Sequence, residues 1–460
     1  MRKMSIGSTN LFLIDELGPE DVAMLQALYS RSGESVETHL DKVEKSGSGK
    51  FMEKFYVGYN HKSIADCGST TLFIEDVSIL ADKAIQDWPL YSGQETSTRY
   101  IDMSKRRVVD PINSSASAAV IAGWVEFYTR SQAAVAAHIR EKYPRREAED
   151  EKAYEGAVKA RTFDVLRGFL PAGITTQLSW HTNLRQAGDH LSVLTLHPLP
   201  EVRDVARGLR SLLAERYPSS GFSSSAAGVS GVSGKHDENN VRRLWEAVAA
   251  EETTYLNPHA SLIDSDLWLS APLKRGDVYM TSTLPFEVNG ISLLRNRPRG
   301  AVAPYSFANL GQIHFDFWLD YGSFRDIQRH RNGVIRMPLL GLDSFEEWYF
   351  TELGPLGQEA RDLVQSQVEA VKKLTDDPLT RQYYTALGFR VPCRVTWGLP
   401  AALYVMELRS TKYVHPTLRS KVQKMVKLFR ERFPNIALHA DEDPDDWTVR
   451  RGTQTITERK

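Results

Sequence analysis

With 460 residues and a formal net charge of −1, the chain exceeds one ordinary compact core. Its balanced charge excludes whole-chain adhesion to a nucleic-acid polymer or a membrane surface, so any anion site must be local. Hydrophobic residues make up 42% and charged residues 25%, the proportions of a globular protein, and no run of 18 apolar residues occurs. Cys67 and Cys393 are too few for a disulfide framework or a structural zinc site, and no metal is expected. A cytoplasmic protein is therefore expected.

Residues 1–18 (MRKMSIGSTNLFLIDELG) hold a short apolar island but reach acids too soon for a signal peptide. Residues 19–28 predict a helix, with Pro19, Glu20 and Asp21 in its first turn. Gly47-Ser48-Gly49-Lys50 has the outline of a phosphate loop, but Phe51 stands where Ser or Thr is required, and we read it as a turn. Residues 69–76 (STTLFIED) predict a strand. Residues 77–88 predict an amphipathic helix with Val77, Leu80, Ala81, Ala84, Ile85 and Trp88 on one stripe, closed by Pro89. The polar loop 91–100 (YSGQETSTRY) follows.

Residues 116–143 and 147–166 are helical in pattern, the second running into Arg167-Gly168-Phe169-Leu170-Pro171. Residues 175–180 and Asn183-Leu184-Arg185 lead into further helical segments through Leu194 and over 201–215. Residues 217–240 are dominated by Ser and Gly and cannot bury enough apolar surface to offset their ordering entropy, which predicts a linker. Beyond it, 241–252 reads as helix, 276–284 as strand and 312–320 (QIHFDFWLD) as strand. Gly322 and Ser323 introduce a helix expected to carry Phe324, Ile327 and Arg329-His330-Arg331. Strand, turn, helix and polar loop thus occur twice, once on each side of the linker. This order predicts an internal duplication and an α+β fold of two tandem domains, each a mixed sheet flanked by helices. The first domain spans 1–218, the linker 219–240 and the second domain 241–460. Residues 345–373, 400–409 and 418–433 predict helices and 391–398 a strand, and the charged tail from Asp441 is expected to be loosely held.

Two stretches carry chemistry. Arg329-His330-Arg331 gathers three cation-capable side chains, which either face water or hold an anion. An arbitrary triplet of this kind is more often a solvated basic face; the Phe- and Trp-rich strand before it argues for partial burial. Residues 91–100 are dense in hydrogen-bonding groups and suit a nucleotide, with Arg99 and the hydroxyls for phosphate and Gln94 or Glu95 for sugar or base. A polar surface loop has the same composition.

The pattern Ser92-x-Gln94-Glu95-x-Ser97-x-Arg99-Tyr100 resembles the nucleotide-binding loop of the flavin-dependent (alternative) thymidylate synthases. In that family the loop closely follows an Arg-His-Arg triplet that binds flavin. Here Asp87-Trp88-Pro89 occupy the triplet position of the first copy. The second copy keeps Arg329-His330-Arg331, but residues 332–339 lack the loop pattern. The exchange continues downstream. The first copy has Arg167-x-x-Leu170-Pro171 and Asn183-x-Arg185, yet Leu194 stands where a phosphate-binding Arg is expected and Asp189 where an Asn is expected. The second copy lacks the Asn-x-Arg pair and ends in Leu408-Arg409, which restores the missing arginine. His61 resembles a His of the family pattern and has no counterpart near Pro304.

The resemblance implies transfer of a one-carbon unit from methylenetetrahydrofolate to C5 of dUMP, with reduced FAD as hydride donor and NADPH as reductant. It implies that Arg329, His330, Arg331, Asn183, Arg185 and His61 hold FAD. Ser92, Gln94, Glu95, Ser97, Arg99 and Arg409 would bind the nucleotide. Arg167 would stabilise charge developing on the uracil ring. Ser97 is a weaker catalytic candidate, because no His or Lys within its motif could activate it. Family sites are assembled across a homotetramer, so a duplicated chain is expected to form a homodimeric pseudo-tetramer. Two other readings stay open: a paralogue acting on another pyrimidine nucleotide or one-carbon donor, and a non-catalytic nucleotide- or flavin-binding scaffold.

Overall fold

The computed structural model describes residues 1–6, 9–59, 61–223, 278–284 and 291–454. Most of the expected linker, the expected helix 241–252 and the first residues of the expected strand 276–284 lie outside the described residues. The main described elements, in chain order, begin with β1 (Arg2–Ile6), β2 (Thr9–Leu13), α1 (Pro19–Tyr29), α2 (Val36–Ser46), β3 (Ser69–Ser78), α3 (Ile79–Gln86) and β4 (Ser92–Glu95). Next come α4 (Ser115–Arg130), α5 (Gln132–Lys142), α6 (Glu151–Leu166), β5 (Thr175–Asn183), α7 (Leu184–Leu194) and α8 (Pro200–Arg216). The remainder are β6 (Val278–Ser282), β7 (Gln312–Asp320), α9 (Tyr321–Ile327), β8 (Gly333–Arg336), α10 (Glu347–Glu352), α11 (Gly357–Leu374), β9 (Arg390–Gly398), α12 (Leu399–Arg409) and α13 (Pro416–Arg432). The fold is α+β.

Strands β3, β5 and β4 form one sheet in that order, and β6, β7, β9 and β8 form another. In each, the last strand of a trio lies between the two that precede it, giving β3-β5-β4 and β7-β9-β8. The helices repeat as well: α3 follows β3 as α9 follows β7, and α7 and α8 follow β5 as α12 and α13 follow β9. Three of these strand-to-helix junctions are closed by the same device, a side-chain oxygen accepting from a first-turn backbone N–H. Ser78 accepts from Ala81 at 3.0 Å, Asn183 from Gln186 at 2.8 Å and Asp320 from Ser323 at 3.0 Å.

The chain divides into two compact units. One comprises Met1–Ile74, Leu90–Gln94 and Leu178–Glu252, the other Glu75–Pro89, Glu95–Gln177 and Thr253–Lys460. In the first, β1 and β2 pair antiparallel, with Arg2 opposite Leu13. Helices α1 and α2 bury Met24, Leu25 and Val43 against Ile14, Leu17, Leu28, Val36, Leu40 and Phe51. In the second, β7 pairs antiparallel with β9, Gln312 opposite Gly398 and Asp320 opposite Arg390. Period-2 alternation sends Ile313, Phe315, Phe317 and Leu319 of β7, and Val391, Cys393, Val395 and Trp397 of β9, into the core. Trp124 of α4 is buried there, with its indole N–H donating to the Tyr384 carbonyl at 3.0 Å.

Several elements differ from the sequence expectation. Helix α9 ends at Ile327, so Arg329-His330-Arg331 lies in the turn beyond it rather than on the helix. The expected helix over 345–373 is two helices, because Gly354 takes a left-handed φ of 56° and is followed by Pro355, which has no N–H to offer. Helix α3 buries its polar side chains Asp82, Lys83 and Gln86 together with Ile79, Leu80, Ala81 and Ile85, so it has no solvated face of the kind an amphipathic stripe implies. The tail from Asp441 is anchored through Gln454: Arg419 donates to the Asp443 and Asp445 carbonyls, and Arg451 is buried. Replacing Trp124 with Ala removes both the indole volume and its hydrogen bond. It is expected to lower stability by about 3–5 kcal/mol, read from the denaturant midpoint.

Candidate functional site

Three carboxylates in the second unit, each buried among cations, define the site. Glu95, the last residue of β4, is the first. Lys83 Nζ of α3 lies 2.5 Å from its Oε2, Gln86 Nε2 donates to the same oxygen at 2.7 Å, and Arg329 Nη2 donates to Oε1 at 2.6 Å. Arg325 of α9 stands 3.5 Å away and spans the start of the loop, donating to Thr98 Oγ1 at 2.9 Å and to the Thr96 carbonyl at 3.3 Å. Burial by itself would raise the Glu95 carboxyl, but Arg325, Lys83 and Arg329 hold it well below the usual carboxylate range. Its neighbour Asp82 moves the other way: burial, opposed by Lys83 and reinforced by Glu95, pushes it up. The pair therefore keeps its negative charge on Glu95.

Asp326 is the second carboxylate. Arg167 Nη1 approaches it at 3.7 Å, and Arg409 Nη2 donates to its backbone carbonyl at 2.8 Å. Burial alone would raise this group, yet Arg167, Arg99, Arg329 and Arg409 together lower it. Arg167 is itself buried and donates through Nη2 to Ser323 Oγ at 3.2 Å. Behind it, Ser323 Oγ lies 2.6 Å from Thr417 Oγ1, and the fully buried His415 sits between Thr417 and the Asp164 carbonyl. Burial, then Arg167, holds His415 well below its usual range, so it is neutral and donates from Nε2 to Asp164.

Asp164 is the third carboxylate. Arg99 grips it with two hydrogen bonds, Nε at 2.7 Å and Nη2 at 3.1 Å, while Nη1 donates to the Tyr413 carbonyl at 3.0 Å. Arg451 Nη1 reaches the same carboxylate at 2.5 Å. Burial works against the Arg99 charge, but Asp164 more than offsets it.

The triplet is not three cations. Arg409 Nε donates to His330 Nε2 at 2.7 Å, which makes that imidazole the acceptor and leaves its proton on Nδ1. Burial, then Arg409 and Arg329, pushes His330 down to about 3, so it is neutral at physiological pH. Arg331 donates to the Gln86 carbonyl at 3.1 Å. Even with His330 neutral, the basic side chains Lys83, Arg99, Arg167, Arg325, Arg329, Arg409 and Arg451 outnumber the carboxylates Glu95, Asp164, Asp320 and Asp326 around them. Arg329 and Arg409 keep part of their surface open to solvent at the edge of this cluster, which favours an anionic ligand there.

The structure thus brings together Glu95, Ser97, Arg99, Arg167, Arg329, His330, Arg331 and Arg409 in one unit; Ser97 Oγ accepts from the Arg99 backbone N–H at 3.2 Å. Ser92, Gln94, His61, Asn183 and Arg185 belong to the other unit. There Gln94 N–H donates to Ser179 Oγ at 3.2 Å, and Ser92 is exposed at the start of β4. His61 Nδ1 lies 3.4 Å from Arg31 Nη2, and Asn183 caps α7. Arg185 is held by two carboxylates, Asp66 at 2.7 Å and Asp189 at 3.1 Å.

Residues 12–219 match the family model described as thymidylate synthase complementing protein. That match covers less than half of the chain. Proteins named UPF0159 are similar over most of it. The one from Chlamydia pneumoniae is 23% identical, covering 82% of this chain and 77% of its own length. The one from Thermoplasma acidophilum is 22% identical, covering 91% and 94%. The one from Chlamydia muridarum is 24% identical, covering 89% and 84%.

Asp82, Lys83, Gln86, Asp164, Arg325, Asp326 and Arg451 carry no signal that the sequence pattern alone makes visible, with one exception. Asp326 lies three residues before the triplet, a spacing that suits a counter-charge. Asp164 and Arg451 give no such hint, because their partners are hundreds of positions or a whole element away. The depressed His330 makes a testable demand. Between its ordinary 6.5 and about 3, the unfolded chain takes up a proton that the folded one refuses. Its contribution is therefore full above 6.5 and is lost as pH falls towards 3. His330→Gln, whose amide oxygen can still accept from Arg409, is expected to flatten part of the fall in thermal midpoint across that window; an unchanged slope contradicts a neutral acceptor at His330.

Proposed function

We propose that this chain is a flavin-dependent thymidylate synthase-like enzyme that transfers a one-carbon unit to C5 of dUMP. We further propose that it is a tandem repeat, 1–218 and 241–460, whose halves have divided the site residues between them. The observation that carries this reading is the buried cluster itself. Glu95 and Arg99 come from the nucleotide-loop half and Arg325, Arg329, Arg331 and Arg409 from the other, and they meet with cations in excess. The match of residues 12–219 and the repeated strand order support it.

In this reading Arg99 and Arg409 bind the phosphate of dUMP. Guanidinium forks suit a phosphate or diphosphate, and the donor set of Arg329 and Arg331 around a neutral His330 fits FAD, with His61, Asn183 and Arg185 as further contacts. Reduced FAD supplies the hydride, NADPH restores it and methylenetetrahydrofolate is the one-carbon donor. Arg167, buried and with its Nε lacking a hydrogen-bond partner among the described residues, stabilises negative charge developing on the uracil ring. Ser92, Gln94 and Ser97 serve in nucleotide binding. A cytoplasmic homodimer forming a pseudo-tetramer is the expected assembly.

A second reading, a paralogue acting on another pyrimidine nucleotide or one-carbon donor, is favoured by Leu194 and Asp189, which stand where the family pattern has a phosphate-binding Arg and an Asn; Asp189 is instead engaged by Arg185.

The purified protein is expected to be yellow and to retain FAD; a colourless protein that takes up no added FAD refutes both readings. Release of tritium from C5-tritiated dUMP, with methylenetetrahydrofolate and NADPH, separates them, since no release rejects dUMP methylation. Arg331→Ala should weaken FAD retention and Arg99→Ala nucleotide binding, each by about tenfold or more, with the other ligand spared. Equal loss of both ligands from either variant contradicts the division of labour.

A further inference from the structure

The C-terminal segment after α13 carries an arginine that no motif accounts for. Residues 441–454 are fastened to α5, α6 and the α12–α13 region by independent contacts within the second unit. Trp447 stacks on Tyr143, ring centroids 4.6 Å apart and planes 4° from parallel, and Asp446 accepts from Arg161 at 2.8 Å. Lys412 pairs with Asp443 at 2.8 Å. Gly452 packs so closely on α6 that a Cβ there would stand 1.8 Å from the Ala153 carbonyl oxygen. These contacts deliver Arg451, 3% exposed, to Asp164 at 2.5 Å, with its guanidinium 5.9 Å from the Tyr100 ring. Its Nε and Nη2 are buried without a hydrogen-bond partner among the described residues.

Asp164 therefore serves two guanidiniums, Arg99 through Nε and Nη2 and Arg451 through Nη1. One carboxylate between two permanent cations leaves the trio with a net positive charge. Without Arg451, Asp164 and Arg99 would form a closed neutral pair, and an incoming anion would have to compete with the carboxylate for Arg99. We propose that Arg451 is a positioning residue of the nucleotide site: by sharing Asp164 it keeps Arg99 available to a phosphate monoester, so the C-terminal segment is part of that site. The inference rests on the reading that Arg99 meets the substrate phosphate.

Isothermal titration of the full chain with dUMP, deoxyuridine and inorganic phosphate tests it. In Arg451→Ala the affinity for dUMP and for inorganic phosphate is expected to fall about tenfold or more, while that for deoxyuridine is unchanged. Arg451→Lys, which restores the charge, should recover most of the loss, and Arg451→Gln, which fills the space without the charge, should not. If the Ala variant does not fold, the contrast between the Lys and Gln variants decides the question in its place. Unchanged dUMP affinity in Arg451→Ala, or equal losses for dUMP and deoxyuridine, overturns the inference while leaving the proposed function standing. A wild-type protein that binds inorganic phosphate through Arg451 without preferring dUMP over deoxyuridine refutes only the dUMP reading. One that binds neither dUMP nor phosphate refutes both.

Discussion

The arrangement of the candidate site in the second unit depends on the ion pair between Glu95 and Arg329. It joins the end of a strand early in the chain to a turn more than two hundred residues later, with the Glu95 carboxylate buried and Arg329 partly open to solvent. A lone carboxylate in that position would protonate. It stays charged because Lys83, Gln86 and Arg325 complete its coordination. That contact fixes where the triplet points, which in turn sets His330 to accept from Arg409 and brings Arg409 onto the carbonyl of Asp326.

The same arrangement recurs at Asp326 and Asp164, each a single carboxylate serving several arginines. Carboxylates hold the arginines in register, but they are too few to neutralise them. A cluster built for stability alone would balance its charges or replace them with apolar side chains, since well-packed hydrophobic substitutes are often at least as stable. Excess charge held in place by shared carboxylates is what pre-organises a site for an anion, because the donors need no rearrangement when the ligand arrives. Neutral His330 and His415 fit this pattern: each supplies a lone pair or a proton at a fixed atom without adding charge.

The strands and most helices are legible in the sequence, because their signals are local. Alternation marks 312–320, which is β7, and turn residues bound the long helices. The resemblance to a flavin-dependent family singles out Glu95, Arg99, Arg167 and Arg409 as candidates, and the structure gathers them in one unit. What stays hidden is pairing. Asp82 and Lys83 read as the wet face of an amphipathic helix, and only their partners on β4 and in the loop after α9 make their burial tolerable. Asp164 is unremarkable in its helix, and the tail that carries Arg451 looks too charged to pack. Its acids are taken up by Arg161, Lys412 and Arg419, a compensation no local pattern shows. Helix α9 is shorter than its sequence suggests for a similar reason, since the ordering of the triplet comes from Glu95, Gln86 and Arg409 rather than from helical continuation.

A crystal structure of the protein with dUMP bound is the most direct test that this cluster is the substrate site. The account predicts the phosphate within hydrogen-bonding distance of both Arg99 and Arg409, with Arg329 still paired to Glu95. A phosphate bound elsewhere, with the Arg99–Asp164 and Arg409–His330 contacts undisturbed and no ligand among these arginines, would contradict it.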